Sequence, residues 1–165
     1  MIDIENMSNR DVIEEQYKNT DNLTLRKSLH DKYSVNKMGF QKWMFQQYPF
    51  RKKSRVLELG SGRGELWSYY FEDDTLQSYE MELTLSDFSE AMVDCIRNRF
   101  SGRNLSVKKI DILDIPFQEG TFDLIIANSM LYHVRDIDRG LSEVRRVLKR
   151  DGLFYCSTLG TNGMM

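Results

Sequence analysis

Three glycines spaced two residues apart follow a short apolar strand within residues 56–66. They are Gly60, Gly62 and Gly64, and a helix-like stretch follows over residues 66–71. Glycines at a strand-to-helix turn let a ligand approach the backbone, because no Cβ stands in the way. The free N–H groups at the start of the helix then face that ligand. The segment therefore predicts a small cofactor held over a sheet, and the question is which cofactor.

Strands and helices alternate along the chain after residue 51. Apolar patterning predicts strands over residues 54–59, 80–86, 105–110, 122–127 and 152–158. Helices are predicted over residues 65–71, 89–100 and 137–148, with Ser89 as the N-cap of the second. The alternation predicts an α/β fold with a doubly wound parallel sheet.

The chain before this alternation has a different pattern. Apolar side chains recur at helical spacing over residues 1–50, and Pro49 ends that region. We therefore expect two parts, a helical segment over residues 1–50 and an α/β core over residues 51–165 that forms one unit.

Charge and composition exclude several classes of function. The net charge is −2 over 165 residues, which gives no overall electrostatic footprint for nucleic acid. The apolar runs are too short to span a membrane, and the acidic N-terminus lacks a signal-peptide pattern. Cys95 and Cys156 lie in apolar segments and are predicted to be buried, reduced thiols. We expect a cytoplasmic protein with no nucleic-acid partner, no membrane partner and no metal site.

Polar residues follow the predicted strands where ligands of parallel sheets bind, at the carboxyl ends. Asp87 follows the second strand, Asp111 the third and Asn128 the fourth. An acid after the second strand can accept hydrogen bonds from a ribose diol, and Asp87 comes 23 residues after Gly64, near the usual spacing of about 20. The sequence therefore predicts a nucleoside pocket at this edge.

The glycine spacing discriminates between cofactors. A dinucleotide fingerprint reads G-x-G-x-x-G, but here the third glycine comes one position early and Glu65 holds its place. A carboxylate there puts negative charge where a pyrophosphate sits, against the helix dipole. A ligand that carries a sulfonium and an amino acid, without phosphate, fits this segment better.

Taken together, these segments resemble the class I S-adenosylmethionine (SAM)-dependent methyltransferases, in the small-molecule group related to quinone biosynthesis. The resemblance covers residues 54–158, in the family's order, through residues 56–66, 83–92, 109–125, 131–134 and 143–149. It implies a Rossmann-like, mainly parallel sheet with five strands in the order 3-2-1-4-5. It also implies SAM as the cofactor and N-terminal helices that cap the site.

The resemblance also implies roles for individual residues. Glu58 would order the glycine loop and reach the cofactor's amino group directly or through water. Asp87 would hold the ribose, and Asn128 would close the site near the methionine part. The full implied cofactor-binding set is Glu58, Gly60, Ser61, Gly62, Gly64, Asp87, Phe88, Met92, Asp111, Ile112 and Asn128. Phe88, Met92, Asp111 and Ile112 would surround the adenine. Each acid also has a plainer interpretation, as a residue of a turn or a helix start.

The sequence departs from the family in two places. The turn before the fifth strand is Arg150-Asp151-Gly152 instead of a Pro-Gly-Gly-like turn, yet it still permits a tight bend. The family sheet has seven strands, and this sequence is expected to lack the last two, as a truncated chain would. The fifth strand is then expected at a sheet edge, where apolar residues 153–156 favour self-association by strand pairing.

The resulting expectation is methyl transfer from SAM to a small-molecule acceptor by in-line displacement. Such a reaction needs alignment and exclusion of water more than a general base. His133 is the candidate for a catalytic role, against a structural or gating one. Two alternatives stay open: a non-catalytic SAM-binding or assembly module, and an NAD-type oxidoreductase that the glycine spacing disfavours. His30 is a second candidate for a catalytic role. Candidates for ligand contact in the N-terminal segment are Tyr17, Arg26, Tyr33 and Trp43.

Overall fold

A five-stranded parallel sheet organises the protein. The computed structural model describes residues 38–158. Its strands are β1 Arg55–Leu59, β2 Glu82–Asp87, β3 Ser106–Lys109, β4 Phe122–Asn128 and β5 Leu148–Ser157. They pair in the order β3-β2-β1-β4-β5, and each pair is parallel. The predicted α/β class and strand order are confirmed.

Helices pack on both faces of the sheet. They are α1 Phe40–Phe45, α2 Ser68–Phe71, α3 Asp74–Gln77, α4 Glu90–Arg99 and α5 Ile137–Val147. Short 3-10 turns cover Glu65–Trp67, directly before α2, and Leu131–His133. Most of the predicted N-terminal helical segment, with Tyr17, Arg26, His30 and Tyr33, lies outside the described residues.

Side chains that alternate along the central strands build two cores. Val56, Leu83, Leu85, Leu124 and Ile126 pack on one face with Trp67, Tyr70 and Ile96. Leu57, Leu59, Ile125 and Ala127 point to the other face, where Val144 and Val147 of α5 cover them. Because both faces are covered, β1 and β4 carry nearly continuous apolar runs.

The segment before β1 is part of the first core. Phe45 and Tyr48 are buried, and Phe50 packs beside them. The Phe45 ring meets the Trp67 indole edge-on with centroids 6.2 Å apart, and the Tyr48 ring meets Tyr155 of β5 at 5.6 Å. The division at residue 50 stays a prediction, but residues 45–50 pack into the same core as β1.

Strand β5 differs most from its prediction. It begins at Leu148, four residues before the predicted start at Gly152, because Leu148 already pairs with Phe122. The register then shifts, and Leu153 pairs with Leu124. Within residues 38–158, β5 forms one edge of the sheet and Leu153 is 38% exposed. Self-association through this edge stays a prediction.

Two smaller expectations need correction. Cys156 on β5 is exposed and Cys95 is only half-buried, so the prediction of two buried thiols is wrong, although both are free. Cys156 is exposed because β5 is an edge strand. Ser89 is the N-cap residue of α4, but its hydroxyl makes no capping hydrogen bond. No helix within residues 38–158 is both long and apolar enough to cross a membrane.

An ion pair on α5 holds the loop that follows β3. Arg146 donates to the backbone oxygens of Ile115 and Phe117 at 2.8 and 2.7 Å, and to both carboxylate oxygens of Glu143. Glu143 in turn accepts the N–H of Ile115 at 2.9 Å. The hydrogen bonds from Arg146 hold the pKa of Glu143 down at about 2. The Arg146–Glu143 ion pair therefore supplies hydrogen bonds to backbone groups of the loop that no helix or strand partner satisfies.

Replacement of Arg146 by Met should lower the free energy of unfolding by about 1–3 kcal/mol, because two loop carbonyls and the Glu143 carboxylate lose a charged donor. Urea unfolding followed by circular dichroism measures the change. Arg145→Met is the matched control, since Arg145 is exposed on the same helix. Equal effects of the two substitutions would contradict the conclusion that Arg146 holds the loop after β3.

Candidate functional site

The three glycines of the loop after β1 all adopt left-handed backbone, each for a different neighbour. Their φ angles are 69°, 55° and 69°. A Cβ on Gly60 would lie 2.9 Å from the side chain of Met130, and a Cβ on Gly64 would lie 2.9 Å from the ring of Phe100. A Cβ on Gly62 would meet nothing within 4 Å. Gly62 is therefore the glycine whose backbone is open to a ligand, whereas Gly64 permits close packing of α4.

Asp87, at the end of β2, joins that loop to the start of α4. Its Oδ2 accepts the N–H of Gly62 at 2.9 Å, and its Oδ1 accepts the N–H of Ser89 at 2.9 Å. The carboxylate thus ties the glycine loop to the N-cap residue of α4. A carboxylate has about four acceptor sites, so each oxygen can accept a further hydrogen bond from a ligand.

The environment of Asp87 is desolvated. Burial raises the pKa of Asp87, while the N–H groups of Ser89, Gly62 and Phe88 and the charge of His133 oppose the shift. His133 belongs to the 3-10 turn after β4, and its charge acts on Asp87 at the end of β2. A catalytic role for His133 stays a prediction.

Glu58, on β1, is a fully enclosed carboxyl group beneath the loop. It is 3% exposed. The indole N–H of Trp67 donates to its Oε2 at 2.7 Å, and the Asn128 amide donates to its Oε1 at 3.3 Å. Burial raises the pKa of Glu58 to about 7, against the hydrogen bonds from Trp67, Ser61 and Asn128. The group therefore changes charge near neutral pH.

Asn128 and Ser61 connect Glu58 to the neighbouring strands. The Asn128 amide also donates to the hydroxyl of Tyr48 at 2.8 Å, and its oxygen accepts from Ser157 at 3.3 Å. The Ser61 N–H donates to the backbone oxygen of Ser86 at 2.8 Å, which ties the glycine loop to β2. These contacts fix the loop directly above the buried carboxyl group.

The residues predicted around an adenine lie at the adjacent end of the sheet with different exposures. Phe88 is half-buried, with Lys109 Nζ 5.8 Å from its ring centroid. Met92 and Ile112 are buried at 1% and 5% exposure and belong to the core. Asp111 is half-buried, and its Oδ1 accepts the N–H of Leu113 at 2.9 Å. Contact of these residues with a cofactor stays a prediction.

Two residues of this site were not predicted from the sequence. Tyr48 precedes β1, and Trp67 ends the first 3-10 turn; both were absent from the candidate set although their polar atoms meet at Glu58 and Asn128. Apolar spacing indicated core positions for such aromatic rings, which is correct for the rings. A Tyr hydroxyl or indole N–H that is buried needs a polar partner, and this requirement was the available signal.

The geometry fits an adenosyl-amino acid. Gly62 leaves its backbone open, Asp87 has acceptor capacity for a diol, and Glu58 offers a buried negative charge for an ammonium group. The helix start is poorly suited to a pyrophosphate, because Glu65 opens a 3-10 turn at that point and α2 has only four residues.

Comparisons with known proteins decide the family. A profile for the methyltransferase domain matches residues 57–156. The chain belongs to the methyltransferase-domain family. The sequence-based assignment to the class I SAM-dependent methyltransferases is thereby confirmed.

Individual relatives cover only part of their own length. A ubiquinone/menaquinone biosynthesis C-methyltransferase from Desulfotalea psychrophila is 31% identical over 103 residues, which span 62% of this chain and 40% of the relative. The mitochondrial arginine-hydroxylase NDUFAF5 of Homo sapiens is 30% identical over 112 residues, spanning 64% of this chain and 28% of that protein. The chain thus spans well under half the length of these two relatives.

Among solved structures, the fold resembles a methyltransferase in complex with the Haloferax volcanii Trm112 methyltransferase activator. The TM-score is 0.69 at 22% identity, and the match covers 86% of this chain and 59% of that chain. At this identity the likeness establishes the fold.

Gly64→Ala should destabilise the protein more than Gly62→Ala. Both substitutions force a left-handed backbone on alanine, at about 1–2 kcal/mol each. The methyl group that Gly64→Ala introduces would also collide with the buried Phe100 ring, which adds about 1–3 kcal/mol. Urea unfolding of the two variants side by side measures this difference. Equal loss would show that Phe100 moves aside without cost and that packing does not require Gly64.

Stability should depend on pH through Glu58. A Glu whose pKa rises from 4.5 to about 7 on folding stabilises the protein below pH 4.5, and that stabilisation is lost as the pH rises through 7. Relative to Glu58→Gln, the parent should lose on the order of 3 kcal/mol between pH 4.5 and pH 8. Urea unfolding across this range measures it, with the exposed Glu119→Gln as control. Parallel plots of unfolding free energy against pH for the parent and Glu58→Gln would contradict a raised pKa of Glu58 in the folded protein.

Proposed function

We propose that this chain binds SAM at the carboxyl end of β1 and β2 and transfers its methyl group to a small-molecule acceptor. The observation that carries the proposal is the placement of two acids around one open glycine. Asp87 bonds Gly62 from the β2 side, and the buried Glu58 lies beneath the same loop. This arrangement would supply a ribose acceptor and an ammonium partner without a phosphate site.

The proposed assignments of the chain's residues follow from these contacts. Asp87 would bind the ribose hydroxyls while it keeps its bonds to Gly62 and Ser89. Glu58 would reach the ammonium group directly or through water, and Asn128 would orient that carboxylate. Phe88 would flank the adenine from its half-buried position. When bound, SAM supplies an electrophilic methyl group on a sulfonium with a good leaving group.

The chain's contribution to the reaction would be alignment and exclusion of water. Met130 lies against Gly60, and the half-buried Leu131 and Tyr132 continue the cover after β4. Such a cover strengthens electrostatic interactions within the site and shields the sulfonium from water. A general base is not required, so His133 would hold or gate the site, acting near Asp87.

A small acceptor is supported by three features. The net charge of −2 gives no overall attraction for nucleic acid. The residues after β4 are Asn128-Ser129-Met130-Leu131, which differ from an Asn-Pro-Pro-Tyr-like motif for amino-group methylation. The Desulfotalea psychrophila relative is named for methylation at carbon in quinone biosynthesis.

The free thiols of Cys95 and Cys156 support a reducing, cytoplasmic location.

A SAM-binding module that works with a protein partner is the second candidate. It is favoured by the Haloferax volcanii structural neighbour, which is in complex with an activator protein. In that case the chain would bind SAM but transfer no methyl group to metabolites by itself. The rival oxidoreductase is opposed by the short, Glu65-containing helix start.

Calorimetric titration with SAM, S-adenosylhomocysteine and NADH tests the cofactor. We expect both adenosyl ligands to bind and Asp87→Ala to weaken them by about 1–3 kcal/mol, because a carboxylate partner of the ribose is lost. Asp94→Ala is the matched control, since Asp94 is an exposed acid on α4. Tight NADH binding without SAM binding would overturn the proposal, and unchanged affinity in Asp87→Ala would remove Asp87 from the site.

Incubation with methyl-labelled SAM and a metabolite extract separates the two candidates. Label in a small molecule supports the methyltransferase. Binding of SAM without transfer supports the module that needs a partner.

A further inference from the structure

A continuous polar chain connects the segment before β1 to the buried carboxyl group. The Tyr48 hydroxyl accepts one N–H of Asn128 at 2.8 Å, and the same amide nitrogen lies 3.3 Å from Glu58 Oε1. Trp67 holds the other oxygen of Glu58 at 2.7 Å. An amide nitrogen has two donors, so Asn128 can serve both acceptors at once.

The two oxygens of Glu58 are held unequally. Trp67 is buried at 0% exposure and fixes Oε2 with a short hydrogen bond. The other oxygen depends on Asn128, whose amide nitrogen also contacts the Tyr48 hydroxyl and whose oxygen accepts from Ser157. A charged carboxylate attracts the N–H side of the amide and repels the amide oxygen. The contact with Tyr48 then anchors the Asn128 nitrogen beside Glu58, where it donates to the charged carboxylate.

We propose that Tyr48 is a positioning residue for the cofactor: through Asn128 it keeps Glu58 oriented and charged to receive the cofactor's ammonium group. The inference rests on the proposed function, because the ammonium group belongs to SAM. It adds a residue outside the strand ends to the site. It also makes the binding of cofactor dependent on pH.

The groups that face Glu58 decide the direction of the effect. They are Ser61 of the glycine loop, Trp67 of the 3-10 turn, Asn128 of β4, Tyr48 of the preceding segment and Asp87 of β2. Asp87 is the acid among them, and its negative charge raises the pKa of Glu58. Burial also raises the pKa of Tyr48, to about 12, so its hydroxyl stays neutral across the range of interest. Loss of that hydroxyl should therefore shift the Glu58 titration upward without removing a charge.

Trp67 provides a direct probe, since its indole donates to Glu58. The chain has two tryptophans, and the other, Trp43, is 46% exposed. In a Trp43→Phe background, the fluorescence of Trp67 should change with a midpoint near pH 7, and Glu58→Gln should abolish the change. Tyr48→Phe should move the midpoint up by about one pH unit. Tyr155→Phe is the matched control, because its ring contacts Tyr48 from β5.

Binding of S-adenosylhomocysteine, measured by calorimetry at pH 6 and pH 8.5, is the second readout. Tyr48→Phe should bind about tenfold more weakly at pH 6, because less Glu58 is charged, and within about twofold of the parent at pH 8.5. Recovery at high pH distinguishes positioning from damage to the fold. Tyr155→Phe should match the parent at both pH values.

Several outcomes would overturn the proposal. They are an unshifted midpoint in Tyr48→Phe, the absence of a transition in the background protein, a transition that survives Glu58→Gln, and a loss of affinity that persists at pH 8.5. If no protein binds the ligand at either pH, the proposed function fails. The fluorescence titration, which needs no ligand, still decides whether Tyr48 controls Glu58.

Discussion

The burial of the Glu58 carboxyl group determines which elements must pack together at this end of the sheet. A carboxyl group in the interior is costly unless it is hydrogen-bonded, and Trp67 and Asn128 supply its partners. These partners come from the turn after β1 and from the end of β4. The chain therefore has to bring both elements against β1 for the group to be tolerated. The glycine loop crosses above it, and the same crossing leaves Gly62 open.

This constraint explains why aromatic packing and the site cannot be separated. Trp67 is at once a core residue, packed against Phe45 and Tyr70, and the donor to Glu58. Tyr48 is likewise packed against Tyr155 and bonded to Asn128. The first core thus fixes the geometry of the polar groups that a cofactor would meet. A change in these rings is expected to alter both stability and binding.

Much of the fold followed from the sequence, because the central strands are apolar on both faces and are separated by amphipathic helices. The order of the strands came from the family resemblance. The start of β5 differed from the prediction because residues 149–152 are polar and include a glycine, yet they lie within the strand across a shift in register. The exposure of Cys156 depends on strand position in the sheet, which local apolar character does not reveal.

The site was predicted less completely than the fold. Positions after the strands identified Asp87 and Asn128, and the family resemblance added Glu58; the structure brings these three residues close together. Neither signal identified Tyr48, since a contact between Tyr48 and Asn128 spans 80 residues and depends on tertiary packing. The same limit applies to Gly64, whose neighbour Phe100 lies on a later helix end. Contacts between distant segments are set by packing, and one sequence carries little information about them.

Family membership leaves the acceptor undetermined for a physical reason. The glycine loop, Asp87 and Glu58 bear on the cofactor, and relatives of this chain include a protein named as an arginine-hydroxylase beside one named as a C-methyltransferase. One fold can carry different chemistry when the groups around the cofactor change. In the described residues, the groups proposed to cover the site are Met130, Leu131 and Tyr132, all half-buried.

A crystal structure of the protein with S-adenosylhomocysteine tests the central claim most directly. The account predicts ribose hydroxyls within hydrogen-bond distance of Asp87, the ligand backbone against Gly62, and the ammonium group on the Glu58 side of the loop. A ligand bound elsewhere, or one whose ammonium group points away from Glu58, would contradict it.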